Sequence, residues 1–329
     1  MDWFKRLRPD NYVLAILGMV VLASLLPIHG VAAKDFGLFT KVVIALLFFL
    51  HGARLSREAV IAGLVNWRLH LVVLASTFVL FPVLGLMLQQ LPAAVMPSAL
   101  SAGVLFLCCL PSTVQSSIAF TSVARGDVAA AVCAASASNL FGIFITPVVA
   151  GLTLQAHGAG FSMSAVEAIV IQLLAPFLAG QLLRPLIGDW IKRHAKLVGY
   201  VDRGSILLVV YGAFSDAVVG GIWHKVTPLQ IVILALVCCA LLAAVLAITA
   251  YGSRALGFSK EEEITIVFCG SKKSLASGVP MAGILFPAAN VGLMVLPLML
   301  FHQIQLMACA VIAQRYAARS APVPEPVLA

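Results

Sequence analysis

Apolar runs, each near the length that crosses a bilayer, follow one another along almost the entire chain. A transmembrane helix needs about 20 largely apolar residues. On that scale the runs fall at 13–29, 36–53, 70–91, 98–124, 128–154, 163–184, 205–222, 228–251, 263–285 and 290–313. The pattern predicts ten helices with short loops and no room for an extramembrane domain. The runs are too long and continuous for the alternating strands of a membrane barrel, whereas helices satisfy their own backbone groups in lipid.

Composition sharpens the picture. Only 10% of the residues are charged and 62% are hydrophobic, against about 25% charged in soluble proteins. With a mean hydropathy of +1.07, the chain cannot keep a solvated surface, and its partner is a lipid bilayer. Disorder, collagen-like repeats and a disulfide scaffold are excluded by the same numbers. The net charge of +8 requires no nucleic acid, because membrane proteins gather lysine and arginine in cytoplasmic loops. One side of the predicted bundle collects Lys5, Arg6, Arg8, Arg54, Arg57, Arg68, Arg125, Arg184, Lys192, Arg193, Lys196, Arg203, Arg254, Lys260, Arg315 and Arg319. The other has Lys34 and Lys225 alone. That asymmetry predicts both termini in the cytoplasm, and the short loops fit a bacterial inner membrane. Residues 1–33 imitate a secretory signal, ending in Val31-Ala32-Ala33, but cleavage there would delete one helix of a paired pattern, so a retained first helix is expected. Trp3 and Phe4 suit the interface.

The seven cysteines, Cys108, Cys109, Cys133, Cys238, Cys239, Cys269 and Cys309, all lie inside apolar runs and read as packing rather than metal or redox centres. No metal or cofactor is implied. Enzyme motifs are absent: there is no H-E-x-x-H, Walker loop, G-x-S-x-G or Rossmann glycine pattern.

Chemistry enters where polar residues interrupt apolar runs, since such residues are costly in lipid. The fourth run contains Pro111 followed by Ser112, Thr113, Gln115, Ser116 and Ser117. Proline removes a backbone donor and disrupts the ladder, and five of the following six side chains are polar, so a helix broken near the midplane is expected. The alternative is a kinked helix whose Ser and Thr bond back to their own carbonyls. The ninth run contains Cys269-Gly270-Ser271-Lys272-Lys273-Ser274 and then Gly278 and Pro280. A lysine at the middle of a span costs about 3 kcal/mol unless it meets water, a counter-charge or an anion. Adjacent helical residues point about 100° apart, so one pocket can hold both lysines only if the backbone unwinds. Ser138 and Asn139 in the fifth run and His302 and Gln303 in the tenth, with Ser136 and Gln305 nearby, are further candidates for lining the site or bonding between helices. Asp216, or Glu167, is the candidate counter-charge for a lysine. Glu261-Glu262-Glu263 reads as a first-turn complement to a helix dipole.

The two breaks occupy the fourth position of runs one to five and the fourth of runs six to ten. Paired discontinuous helices in corresponding positions mark a transporter's binding site, and five spans per half force opposite topology on the halves. The expected plan is one transmembrane transporter domain over residues 1–315, with inverted repeats at about 11–155 and 160–315, and a cytoplasmic tail at 316–329 whose Pro-rich end, APVPEPVLA, is disordered.

The stretch LPSTVQSSIAFTSVARGDVAAAVCAASASNLFGIFITP, from Leu110 to Pro147, resembles the sodium/bile acid symporter family. The block FCGSKKSLASGVPMAG resembles that superfamily's divergent branch, the one with the seventh human member of solute carrier family 10. The likeness covers roughly residues 10–315. It implies ten helices in two inverted five-helix repeats, divided into a panel and a core domain, with the fourth and ninth helices broken and crossing in the core. For the family's sodium ligands, the resemblance puts Ser116-Ser117 at one pair and Ala131 and Ala135 where the fifth helix supplies Ser and Thr. Val267 and Ser271 stand where the ninth supplies Glu and Gln. Most side-chain ligands are thus missing, and two ammonium groups stand nearby.

The expected function is therefore an alternating-access carrier of a small organic anion, sodium-independent or proton-linked. A fixed lysine charge takes the electrostatic role of a bound cation, and the cationic breaks attract the anion. The candidate site is Ser112, Thr113, Gln115, Ser116, Ser117, Ser138, Asn139, Ser271, Lys272, Lys273, Ser274, His302 and Gln303. Glutamine at either lysine is expected to abolish transport without loss of folding. The alternatives are an ordinary sodium-coupled symporter of a bile-acid-like anion, with backbone carbonyls as sodium ligands, and a regulatory membrane protein affecting calcium homeostasis. A channel would show a polar stripe or filter, and neither is present.

Overall fold

The computed structural model describes residues 11–54, 66–93, 95–155, 170–221 and 226–319. Among these residues the chain is all helical, without strands. The elements are α1 (Asn11–Leu25), α2 (Gly30–Arg54), α3 (Trp67–Leu88), α4 (Ser98–Cys109), α5 (Gln115–Val123) and α6 (Val128–Gln155), then α7 (Ala175–Arg193), α8 (Ala195–Val219), α9 (Pro228–Ala255), α10 (Lys260–Gly270), α11 (Leu275–Leu285) and α12 (Ala288–Arg319). A π-helical turn, Ser76–Leu80, interrupts α3. Among the described helices, α2, α3, α6, α7, α8, α9 and α12 are long and apolar enough to cross a membrane. The protein is a multi-pass integral membrane protein.

Helix ends depart from the apolar runs where hydropathy and backbone preference diverge. α1 stops at Leu25 rather than 29, because Leu26 precedes Pro27 and a residue before proline is pushed out of helical geometry. α8 starts at Ala195 rather than 205, and α12 continues to Arg319 rather than 313. Lysine, arginine and glutamine are good helix formers, so an apolar run measures lipid contact and not helix length. The first residues of the expected tail are therefore helical, and Tyr316 is buried. Residues 320–329 lie outside the described residues, as do Trp3, Phe4 and Glu167.

α4 and, beyond its charged first turn, α10 are short and largely apolar, as helices enclosed by others must be. Val104 to Cys109 and Ile264 to Gly270 are buried on every face. The longer helices surround them and carry exposed leucines such as Leu182, Leu186 and Leu236 outward, which suits lipid. α2 and α7 pack most closely, and two glycines explain it. A Cβ on Gly52 would collide with the Phe177 carbonyl oxygen, and one on Gly180 with the Phe49 carbonyl oxygen. The contact is reciprocal, each glycine lying three residues beyond the carbonyl that the other meets.

The ends bearing Arg68, Arg125, Arg254 and Lys260 are tied together by α10. Ser259 caps it reciprocally with Glu262, and the Glu262 carboxylate also accepts from Asn66 Nδ2 at 2.9 Å. After α5 the chain turns through Arg125, at φ 60, and Gly126, whose N–H donates to the Thr121 carbonyl at 2.9 Å. Asp127 then caps α6 by accepting from the Ala130 N–H at 2.9 Å. The Thr265 hydroxyl donates to the Asp127 carbonyl at 3.0 Å. The buried Glu263 carboxylate accepts from Arg254 at 2.8 and 3.0 Å, from Lys260 at 2.8 Å and from the Tyr316 hydroxyl at 2.8 Å. Arg254 and Lys260 are about half exposed, which weakens each pair. Glu263→Gln is expected to cost about 2 kcal/mol, seen as a lower melting temperature. An unchanged melting temperature would show that water replaces these partners.

Candidate functional site

Each break leaves helix-end carbonyls without intrahelical donors, and the site is built from what satisfies them. α4 ends where Leu110 turns extended, at φ −76 and ψ 155. α5 begins at Gln115. α10 ends at Gly270, and α11 begins at Leu275 behind Ser274, whose Oγ accepts from the Ser277 N–H at 3.2 Å. The two gaps meet: the Ser274 N–H donates to the Pro111 carbonyl at 2.8 Å.

Hydroxyls serve the end of α10. Ser117 Oγ donates to the Phe268 carbonyl at 3.1 Å, Ser112 Oγ to Cys269 at 2.6 Å and Ser76 Oγ to Gly270 at 2.9 Å. α6 braces the first break. Ser138 Oγ accepts from the Ser112 N–H at 3.0 Å, and Asn139 Nδ2 donates to the Ser112 carbonyl at 2.6 Å. Asn139 Oδ1 in turn accepts from Ser277 Oγ at 2.8 Å, so one amide spans both breaks.

An ammonium serves the end of α4. Lys273 Nζ donates to the carbonyls of Cys108 at 2.8 Å, Leu110 at 2.7 Å and Thr77 at 2.8 Å. The last of these is released by the π-helical turn in α3. The Phe81 ring lies 4.1 Å from the same nitrogen. Three hydrogens meet three carbonyls, and a cation at a helix C-terminus is favoured by the dipole. Lys272 points elsewhere. Its Nζ donates to the Ser116 carbonyl at 3.2 Å and sits 3.8 Å over the Phe120 ring and 5.7 Å from that of Phe268. The backbone does unwind, but it sends the lysines into separate pockets, both fully buried.

No carboxylate meets either lysine among the described residues. Asp216 is half-buried on α8 and pairs with neither; carbonyl dipoles and aromatic faces replace the expected counter-charge. Ala131 and Ala134 pack with Ile266, Cys269, Leu69 and Val73 in an apolar cluster. Ala135 and Val267 are buried.

Beside the breaks lies a cavity of about 470 Å³. Thr113, Gln115, Ser116, Asn139, Ser274 and His302 line it, together with Ser136 and Ser277. Ser112, Ser117, Ser138, Ser271, Lys272 and Lys273 do not: all six are buried behind its wall. Gln303 does not reach it either, whereas Gln305 bonds to the backbone of Lys273. Opposite the breaks the wall is apolar, with Leu47, Phe48 and Phe177, and carries His51, Arg54 and Arg203. Sequence reasoning missed these three as site residues, as it missed Ser76 and Thr77. The pair of hydroxyl residues inside an apolar run was the one signal for the latter.

The chain is similar to known proteins over nearly its whole length. Protein PA2026 of Pseudomonas aeruginosa is 58% identical over 315 residues, covering 95% of both chains. "Putative symporter YfeH" of Escherichia coli is 56% identical over 93% of this chain and 92% of its own. Sodium/bile acid cotransporter 7 of Rattus norvegicus is 27% identical over 93% and 92%. The sequence model of one family of non-enzymatic membrane transporters matches residues 10–318, nearly the whole helical bundle with both breaks inside it, and the chain belongs to that family, the SBF-like CPA transporters.

Proposed function

We propose that this transporter carries an organic anion by alternating access, without sodium or linked to protons. The observation that supports this most is the Lys273 ammonium, whose three hydrogens meet three carbonyls at 2.7–2.8 Å where the breaks join. A resident, covalent charge holds the carbonyl cage that a transported cation would otherwise bridge. Alanines at 131 and 135 offer no side-chain oxygen to sodium. The lysines themselves lie behind the cavity wall, so the solute's charge is assigned to Arg54, Arg203 and His51, its apolar body to Leu47, Phe48 and Phe177, and its polar contacts to the breaks. The cavity volume suits a small organic molecule.

The architecture that goes with this reading is ten spans in two inverted repeats, about 11–155 and 160–315, within one domain over 1–315. α4–α5 and α10–α11 are its broken fourth and ninth spans. Both termini are assigned to the cytoplasm of a bacterial inner membrane, following the lysine and arginine asymmetry.

The test is the melting temperature of detergent-purified protein in sodium chloride and in potassium chloride at equal ionic strength. A ligand that binds only the folded state raises it by mass action, and equal values are expected. A sodium-specific rise would turn the assignment to a sodium-coupled symporter of a bile-acid-type anion, the reading favoured by the name of the Rattus norvegicus relative. Uptake into sodium-free proteoliposomes then separates the two mechanisms directly.

A further inference from the structure

Gln305 lies on α12 one turn beyond His302 and is fully buried. Its side-chain amide faces the backbone of Lys273 in the second break. Oε1 accepts from the Lys273 N–H at 2.9 Å, and Nε2 donates to the Lys273 carbonyl at 3.0 Å. This doublet fixes the amide, because exchanging its oxygen and nitrogen would set N–H against N–H and carbonyl against carbonyl. One hydrogen of Nε2 is left, and at 2.9 Å it meets His302 Nδ1. A donor in that place requires Nδ1 to be the ring nitrogen without a proton.

We propose that Gln305 is a positioning residue that locks His302 as its Nε2–H tautomer, making His302 a hydrogen-bond donor toward the cavity. The chain of constraint runs from the backbone of Lys273, through one amide, to the ring. His302 lines the cavity, and with Nδ1 engaged by Gln305 its remaining capacity is at Nε2. The inference deepens the anion-carrier reading and rests on it for its meaning. An Nε2–H at the α12 wall calls for a solute with an acceptor atom there, such as a carboxylate or sulfonate oxygen, and the opposite tautomer would present a lone pair to the same atom. Loss of a hydrogen bond to a charged acceptor weakens binding about tenfold or more.

Nitrogen NMR on ¹⁵N-histidine-labelled, detergent-solubilised protein tests this without any transported solute, so it fails or succeeds separately from the anion-carrier reading. His302 signals are identified by their loss in His302→Gln. The wild type is expected to show an unprotonated Nδ1 and a protonated Nε2. In Gln305→Glu an ionised carboxylate can only accept, so with that side chain ionised Nδ1 carries the proton. Its signal is expected to move into the protonated range. Gln305→Met removes both constraints and is expected to give averaged shifts. Size-exclusion profile and melting temperature report folding, and if Gln305→Glu does not fold, the wild-type and Gln305→Met spectra decide. A wild-type His302 protonated at Nδ1, or His302 signals unmoved in a folded Gln305 variant, overturns the proposal.

Discussion

Lys273→Met is expected to destabilise the folded protein by about 3–5 kcal/mol, because each of three buried carbonyls left without a donor costs about 1–3 kcal/mol. Methionine fills the volume of the stem but donates nothing. The carbonyls of Thr77, Cys108 and Leu110 would then stay buried and unpaired at the end of α4. Lys272→Met is expected to cost far less, about 1–2 kcal/mol, because it gives up one carbonyl bond and a cation–π contact. Denaturant titration of both variants in one detergent makes the comparison. Equal losses, or a Lys273→Met protein as stable as the wild type, would mean that the cage closes without its ammonium. This prediction differs from the expectation that glutamine at either lysine spares folding: at Lys273 a loss of stability is expected as well.

Gly180→Ala should force α2 and α7 apart. The added Cβ would collide with the Phe49 carbonyl oxygen, which belongs to a helix backbone and cannot swing aside. Overpacking costs about 1–3 kcal/mol in ordinary cores, and this contact belongs at the upper end. Gly52→Ala should cost a similar amount against the Phe177 carbonyl. One separation relieves both collisions, so the double variant is expected to lose distinctly less than the sum of the two. Strict additivity in thermal unfolding would show that the glycines act independently.

The breaks are legible in the sequence because Pro111 comes with Ser112, Thr113, Ser116 and Ser117, side chains able to serve backbone groups that a broken ladder leaves open. Pro297 stands among apolar neighbours, and its helix continues unbroken. Where the lysines point is not legible. Helical spacing fixes the angle between neighbours only while the helix persists, and at Ser271–Ser274 it does not. Arg203 reads as a loop charge because the apolar run begins at 205, yet α8 already spans it. Gln305 draws its role from a backbone 32 residues away, a relation no local pattern carries.

A charge tethered to the chain cannot leave with the solute. On the resident-cation reading without proton coupling, the electrical work of each cycle is set by the solute alone. Across an inside-negative potential, each 100 mV is worth about 2.3 kcal/mol per elementary charge. A monoanion moved by itself would therefore run outward and come to rest at roughly a fortyfold excess outside. A carrier that binds two sodium ions per monoanion would be pulled the other way. With its ammonium groups held in place, Lys273 above all, a carrier of this kind that moves no protons would lack the voltage-driven inward stroke, and net flow of an anion through it would be efflux.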